Sequence, residues 1–201
     1  MTRTKEILQQ LNDVQKQAVQ HLDGPLVVFA GAGSGKTRII TSRIAYLIEQ
    51  GVHPWQILAV TFTNKAAGEM RERVNKYSPN ANRALISTFH SACARWLREF
   101  AIELGFTSDF SIYDDSDSLS AIKKILKELK IKTDDHSPNE YKAAINSVKT
   151  MAFLPSDPTL EAAADDLMPP AGLQIYRRYQ EVLAECNAMD FADLILNMLI
   201  L

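Results

Sequence analysis

The sequence is poor in cysteine, nearly neutral in charge and free of long apolar runs. Its 201 residues include only two cysteines, Cys93 and Cys186, which lie far apart and outside any CxxC pair. This spacing argues against a disulfide framework or a zinc site and suits a reducing cytoplasm. The net charge of −2 argues against a wholly basic surface, so any contact with nucleic acid must come from local patches.

No segment approaches the roughly 18–20 apolar residues that a membrane span requires. The N-terminal residues Met1–Lys5 lead into a polar amphipathic segment and not into the apolar core of a signal peptide. With 46% hydrophobic and 23% charged residues, the composition is ordinary for a soluble globular protein. We therefore expect a cytoplasmic protein without a membrane partner.

The first hundred residues repeat a short apolar run, a turn and an amphipathic helix. Strands are predicted at 26–30, 57–62 and 85–89, and helices at about 36–50, 65–76 and 91–104. The run at 26–30 is continuously apolar, as expected for a strand buried on both faces of a sheet. Asn64 is expected to cap the second helix. Strands and helices alternating at this spacing predict a parallel sheet built from βαβ units.

After residue 104 the pattern changes to helices. Ser137 is expected to cap a helix that starts at Pro138 and ends before Pro155, and Asp190 is expected to cap one that starts at Phe191. The sequence therefore predicts an α/β domain over residues 1–104 and an all-helical subdomain over 105–201. In that subdomain only 110–113 is predicted to be extended, and the remaining predicted helices cover 117–130, 159–167 and 172–186.

The strongest chemical signal lies between the first predicted strand and the helix that follows it. Residues 30–37 read AGAGSGKT, a Walker A phosphate-binding loop in its expected strand–turn–helix context, with Ala30 in place of the usual first glycine. Lys36 is expected to contact the β- and γ-phosphates, and the Thr37 hydroxyl is expected to bind Mg²⁺. A Gly-rich turn without a ligand is the plain alternative, although such turns do not commonly carry GSGKT. The residues assigned to the phosphates are Gly31, Ala32, Gly33, Ser34, Gly35, Lys36 and Thr37.

The segments around this loop narrow the family. LNDVQ at 11–15 followed by AGAGSGKT resembles the Q-motif and motif I of superfamily 1 helicases of the UvrD/Rep/PcrA type. TFTNKAAGEMRER at 61–73 is similar to their motif Ia, and STFHS at 87–91 is similar to their motif Ib. MDFADL at 189–194 resembles the segment that precedes their Walker B motif. The resemblance runs from about residue 8 to residue 201 and is strongest over 11–98.

This resemblance implies an ATP-dependent DNA helicase that translocates 3′ to 5′ on single-stranded DNA and engages junctions between single and double strands. It also implies a RecA-like domain 1A over residues 1–104 and a helical subdomain 1B over 105–201. ATP and Mg²⁺ would be the cofactors, with Gln15 reading adenine through its amide and Arg38 packing beside the base or ribose. The residues implied for the DNA track follow predicted strand ends, where open α/β sheets bind ligands: Phe62, Thr63, Asn64, Thr88, Phe89 and His90.

Plainer roles stay open for several residues. Phe62 and Phe89 could be core aromatics, and His90 could be a structural histidine. Asp190 is interpreted as a helix cap and not as a catalytic group. A lysine-rich stretch interleaved with Glu128 is more typical of a solvated helix face than of a duplex-facing patch: Lys123, Lys124, Lys127, Lys130 and Lys132.

A DExx sequence, which would supply the carboxylates that orient Mg²⁺ and activate water, does not occur in the chain. We therefore expect the N-terminal part of a longer helicase, which binds ATP weakly and does not hydrolyse it alone. A non-hydrolysing nucleotide- or DNA-binding module is the alternative if the chain is complete. A P-loop phosphotransferase fits less well, because it does not predict TFTNKAA or TFHS. The incomplete sheet is expected to leave an edge that favours self-association.

Overall fold

The computed structural model of the protein describes residues 3–77 and 79–201, with side chains over 6–77 and 81–201. The first two residues of the N-terminal segment discussed above therefore lie outside the described part. The chain divides into two compact units, Met1–Ala92 and Cys93–Leu201. The domain boundary expected near residue 104 stays a prediction. Within the described residues, no helix combines the length and the apolar character needed to cross a membrane.

The first unit contains a two-stranded parallel sheet connected by a helix, as the sequence predicts. Leu58 lies opposite Leu85 and Thr61 opposite Thr88, so the two strands end side by side. Ile44, Met70 and Val74 pack into the core beneath this sheet. In chain order the elements are α1 (Arg3–Gln9), α2 (Asp13–Gln20), α3 (Lys36–Glu49), β1 (Leu58–Thr61), α4 (Asn64–Tyr77), β2 (Leu85–Thr88) and the start of α5 (Phe89–Glu99).

The strand predicted at residues 26–30 is wrong, because this segment belongs to no regular element. The side chains of residues 26–29 are exposed, and Phe29 has 94% of its surface accessible. Leu26 and Val28 line an apolar cavity of about 440 Å³ whose other lining residues come mainly from α3 and β1. A strand forms only when a neighbouring chain segment satisfies its backbone groups. No described residue pairs with this segment, so its apolar sequence alone does not produce a strand.

The second unit is mainly helical, and its predicted helices are confirmed with small shifts at their ends. Ser137 caps α7 and Asp190 caps α10, as expected, because each side chain accepts a hydrogen bond from a backbone N–H three residues ahead. Its core is built around Ile122, Ile145 and Tyr176. The helices are α6 (Asp115–Glu128), α7 (Pro138–Thr150), α8 (Pro158–Leu167), α9 (Gly172–Glu185) and α10 (Phe191–Ile200).

The second unit is not all-helical, which corrects the prediction. The extended segment expected at 110–113 forms β3 (Ser111–Tyr113), and it pairs in parallel with a second strand, β4 (Ala188–Asp190). The sequence missed β4 because three residues between two helices carry no strand periodicity. Its position depends on Asn187, which follows α9 and has a left-handed φ of +45°. The Asn187 carbonyl accepts a hydrogen bond from the Ser111 N–H at 2.9 Å.

Candidate nucleotide and nucleic-acid site

The phosphate-binding loop turns into α3 through two glycines in the left-handed region. Gly33 has φ +74°, and Gly35, directly before the first residue of α3, has φ +87°. Residues with a Cβ adopt this conformation only at a cost, which explains glycine at both positions. A Cβ on Gly35 would also lie 3.3 Å from Nε2 of Gln15. The helix expected after the loop is thus present, whereas the strand expected before it is not.

The donor groups of the loop converge on the carbonyl oxygen of Gly31. The Lys36 ammonium donates to this oxygen at 2.6 Å and to the Ala30 carbonyl at 3.1 Å. Ser34 donates to the same Gly31 oxygen from its hydroxyl at 2.7 Å and from its backbone N–H at 3.4 Å. An ammonium, a hydroxyl and a backbone N–H are the groups that hold phosphate oxygens, so the donor set fits a phosphate ligand. We call these contacts the loop network.

Gln15, the residue assigned to the base, lies against this loop. Its Nε2 donates to the Ser34 carbonyl at 3.1 Å. Its Oε1 accepts from the Asn12 N–H at 3.1 Å, while Asn12 Oδ1 accepts from the Gln15 N–H at 2.9 Å. This reciprocal pair is a capping box that starts α2. The fold thus brings Gln15 to the loop at residues 30–37, although 19 positions separate it from Ser34.

Two further nucleotide candidates lie in the first turn of α3. Thr37 is half-buried directly after Lys36, and Arg38 is half-buried beside it. The Arg38 guanidinium donates to Oε1 of Gln10 at 2.7 Å, which ties α3 to the residues before α2. Ala32 is exposed in the loop. The predicted nucleotide residues are therefore gathered around one helix N-terminus, where backbone N–H groups favour an anion.

The six DNA candidates lie at or directly after two neighbouring strand ends. Phe62–Asn64 come directly after β1 and Phe89–His90 directly after β2, and the register places Thr61 opposite Thr88. Phe62 is 93% exposed and Phe89 is 57% exposed, so the interpretation of these rings as core aromatics is wrong. Thr63, Asn64 and His90 are also exposed, whereas Thr88 is buried.

Threonines cap the helices that leave these strand ends. Thr63 Oγ1 accepts from the Ala66 N–H at 3.1 Å, so Thr63 and not Asn64 caps α4, which corrects the prediction. Thr88 Oγ1 accepts from the Ser91 N–H at 3.2 Å, and α5 therefore begins at Phe89, two residues earlier than predicted. Both helices direct positive N-terminal ends towards the same edge of the sheet.

The sequence missed a buried charged cluster in the second unit. The Lys149 ammonium is fully buried and lies 2.7 Å from Asp190 Oδ2 and 2.8 Å from Asp193 Oδ1. Tyr179 donates to the same Asp190 oxygen at 3.1 Å, and Gln180 Nε2 donates to Asp193 Oδ1 at 3.1 Å. We call this the Lys149 network. Two aspartates in the DFADL segment were a partial signal, but nothing in the sequence pointed to Lys149.

The two aspartates of this network differ in their ease of protonation. Burial opposes ionisation of Asp190, but the charge and hydrogen bond of Lys149 outweigh it and lower the pKa of Asp190. Burial also raises the pKa of Asp193, and there the nearby Asp190 charge adds to the shift. One lysine cannot neutralise two buried carboxylates, so Asp190 ionises readily and Asp193 resists ionisation.

Other charged candidates lie at the surface of the second unit. The lysines of α6 and the following turn, Lys123 to Lys132, are all exposed, as a solvated helix face requires. Asp114 caps α6 and accepts from the Ser116 and Asp117 N–H groups. Within the described part of the chain, no group of three or more His, Cys, Asp or Glu side chains could hold a metal ion.

Comparison with known families identifies the class of protein. Residues 11–201 match the family model of the UvrD/REP helicase N-terminal domain, so the chain belongs to this family. The resemblance seen in the sequence motifs is confirmed.

Individual relatives agree with this assignment. The chain is 44% identical over 195 residues to the ATP-dependent DNA helicase PcrA of Bacillus subtilis. It is 43% identical over 192 residues to the protein of the same name from Staphylococcus aureus strain Mu50, and 42% identical over 192 residues to that from Staphylococcus epidermidis. These matches cover 94–96% of the chain but only 26% of each relative. The chain thus spans about a quarter of the length of these relatives.

Proposed function

We propose that the chain forms the ATP- and single-stranded-DNA-binding N-terminal portion of an ATP-dependent DNA helicase. The observation that carries this proposal is that two motif-bearing strands end side by side in the same compact unit as residues 30–37, which carry the Walker A sequence. The relatives that match the chain are named ATP-dependent DNA helicases, which supports the same activity for the whole protein.

ATP is the proposed cofactor, held by the loop network. Lys36 would exchange its bonds to the loop carbonyls for the β- and γ-phosphates, and Thr37 would supply a hydroxyl to Mg²⁺. Gln15 would read the adenine edge, and Arg38 would pack beside the base or ribose. The exposed position of Lys36 supports this assignment, because a phosphate can reach its ammonium group without unfolding a core.

Single-stranded DNA is the proposed substrate at the strand ends. Exposed Phe62 and Phe89 would stack on bases, while Asn64, His90 and the N-terminal ends of α4 and α5 would hold phosphates. Thr63 and Thr88 would position these ends through their caps. We further propose 3′-to-5′ translocation and binding of junctions between single and double strands.

For the architecture we propose a RecA-like 1A domain over residues 1–104 and a 1B subdomain over 105–201. The exposed apolar segment 26–29 supports self-association of the isolated chain, because an unpaired apolar segment is a ready pairing surface. Light scattering should therefore find oligomers, and a monodisperse monomer would contradict this part of the proposal. We also propose a cytoplasmic location for the protein.

The experiment that tests the function separates binding from hydrolysis. We expect the purified chain to bind a fluorescent ATP analogue weakly and a single-stranded oligonucleotide separately, without DNA-stimulated ATP hydrolysis. Lys36→Ala should abolish nucleotide binding and leave DNA binding unchanged. Phe62→Ala should weaken DNA binding and leave nucleotide binding unchanged. A longer protein that carries the remaining helicase residues should hydrolyse ATP when single-stranded DNA is added.

Two results would overturn the proposal. One is a chain whose nucleotide binding survives Lys36→Ala, since the loop would then not be the site. The other is a longer protein whose ATP hydrolysis ignores single-stranded DNA.

A further inference from the structure

The Gln15 amide has a fixed orientation because both of its ends have partners. Oε1 accepts from a backbone N–H, that of Asn12, and Nε2 donates to a backbone carbonyl, that of Ser34. An amide turned by 180° would place donor against donor and acceptor against acceptor. Gln15 therefore links the start of α2 to the middle of the phosphate-binding loop in one defined way.

The linked loop is closed on itself. The Ser34 hydroxyl, the Ser34 N–H and the Lys36 ammonium all donate to the Gly31 carbonyl oxygen. The Ser34 hydroxyl and N–H must leave Gly31 to bind a phosphate. The Lys36 ammonium has a third N–H besides those that it gives to Ala30 and Gly31, so it can bind a phosphate before it leaves them. Gln15 holds the carbonyl of Ser34, the residue that supplies two of these donors. The Gln15 bond thus belongs to the closed arrangement of the loop.

Close packing at Gly35 restricts the same contact. A Cβ at this position would meet Gln15 Nε2 at 3.3 Å, and Gly35 is the residue through which the loop enters α3. The Gln15 side chain is therefore seated directly against the turn whose rearrangement would open the loop.

We propose that Gln15 is a tether that stabilises the closed form of the phosphate-binding loop. This proposal rests on the proposed ATP site. It gives Gln15, which is expected to read the base, a second role: it sets how readily the loop accepts phosphate. Loss of one neutral hydrogen bond of this kind corresponds to about a two- to tenfold change in an equilibrium. We therefore expect loss of the Gln15 bond to shift the equilibrium between the closed and the open loop by the same factor.

Inorganic tripolyphosphate tests the tether, because it offers phosphates and no base. A residue that only reads the base should leave tripolyphosphate binding unchanged when it is replaced. If Gln15 is a tether, Gln15→Met should bind tripolyphosphate about two- to tenfold more tightly than the unsubstituted chain by calorimetry. Gln17→Met, an exposed substitution in the same helix, is the matched control and should change nothing. Unchanged or weaker binding in Gln15→Met would overturn the proposal.

Hydrogen exchange separates this proposal from the proposed function. Gln15→Glu can keep the capping bond from the Asn12 N–H, since glutamate is a good capping-box residue, but it cannot donate to the Ser34 carbonyl. Without any ligand, the Ser34 amide, which donates to the Gly31 carbonyl, should exchange about two- to tenfold faster in both Gln15→Glu and Gln15→Met. Equal exchange rates in the unsubstituted chain and both variants would refute the tether even if ATP binds. Faster exchange without any ATP binding would refute the proposed function instead and leave the tether standing.

Discussion

The loop network and the Lys149 network each bring several donors and acceptors to one central group, but in opposite surroundings. In the first unit, an exposed carbonyl oxygen of Gly31 gathers donors from Ser34 and Lys36. In the second unit, the fully buried Lys149 ammonium is held by two carboxylates, which Tyr179 and Gln180 also contact. The exposed contacts can be exchanged for those of a ligand at little cost, whereas the buried ones cannot be exchanged for water.

Because of this difference in burial, the loop network can rearrange, whereas the Lys149 network is rigid. Hydrogen bonds at the surface compete with water and contribute little each, so a loop that uses them can rearrange. A buried charge is stabilised only by its full set of partners, and removal of one partner leaves an uncompensated charge. The Lys149 network joins α7, β4, α9 and α10 through such contacts. We expect substitutions there to affect folding strongly, and substitutions in the loop to affect folding less and ligand binding more.

The largest effect is expected for Lys149→Met. The variant leaves two carboxylates buried without their cation, which should lower the free energy of unfolding by about 3–5 kcal/mol. Chemical denaturation followed by fluorescence measures this change. The two tryptophans lie in different units, so a Trp55→Phe background reports on the second unit through Trp96.

Lys124→Met is the control for this experiment. Its side chain is exposed on α6, so the free energy of unfolding should change by no more than about 0.5 kcal/mol. A similarly small change for Lys149→Met would mean that the buried network contributes nothing and that the contrast between the two regions is wrong.

The two aspartates should differ in the pH dependence of their contributions. Asp190 has a lowered pKa, so it adds stability above its unfolded pKa and loses it as the pH falls through its folded pKa. Asp193 has a raised pKa, so it costs stability above its folded pKa, and that cost disappears at low pH. At neutral pH, Asp190→Asn should therefore destabilise the chain more than Asp193→Asn, by about 1.5–3 kcal/mol.

Denaturation of both variants across a pH series measures this difference. The gap between them should begin to narrow as the pH falls through the raised pKa of Asp193, because its cost then disappears. It should narrow further below 3.8, the ordinary pKa of an aspartate, because the unfolded chain then takes up a proton at Asp190 before the folded chain does. A gap that stays constant through this range would show that the network does not divide its charge in the way described.

Gly35→Ala gives a smaller, local effect in the loop. A left-handed residue with a Cβ costs about 1–2 kcal/mol, and this should appear as a lower free energy of unfolding in the first unit. Gly31→Ala is the matched control, since Gly31 has no positive φ and nothing lies within 4 Å of its added Cβ. Equal destabilisation by both substitutions would argue against a backbone requirement specific to Gly35.

Phe62→Ala should have the smallest effect on folding. The ring is 93% exposed, so the free energy of unfolding should change by no more than about 0.5 kcal/mol. Affinity for a single-stranded oligonucleotide should nevertheless fall by about 1–3 kcal/mol if the ring stacks on a base. Ile102→Ala, with 87% of the isoleucine exposed, is the control that should alter neither quantity. A large loss of stability in Phe62→Ala would restore the core interpretation of this ring.

Local sequence signals predicted most of the helices, since caps and apolar periodicity act over a few residues. Ser137 and Asp190 were identified as caps for this reason. The same signals failed where the answer depends on a distant partner. Residues 26–30 have a strand composition but no described neighbour to pair with, and β4 is a strand only because β3 lies beside it.

The candidate site divides in the same way. The sequence by itself determined the glycines at positions 33 and 35, where the backbone is left-handed, and it predicted that residues 30–37 bind phosphate. The tertiary structure decided that Gln15 contacts Ser34, that Phe62 and Phe89 are exposed at adjacent strand ends, and that Lys149 is buried between two aspartates. These contacts join residues many positions apart, and they arise only when packing fixes which side chains are removed from water.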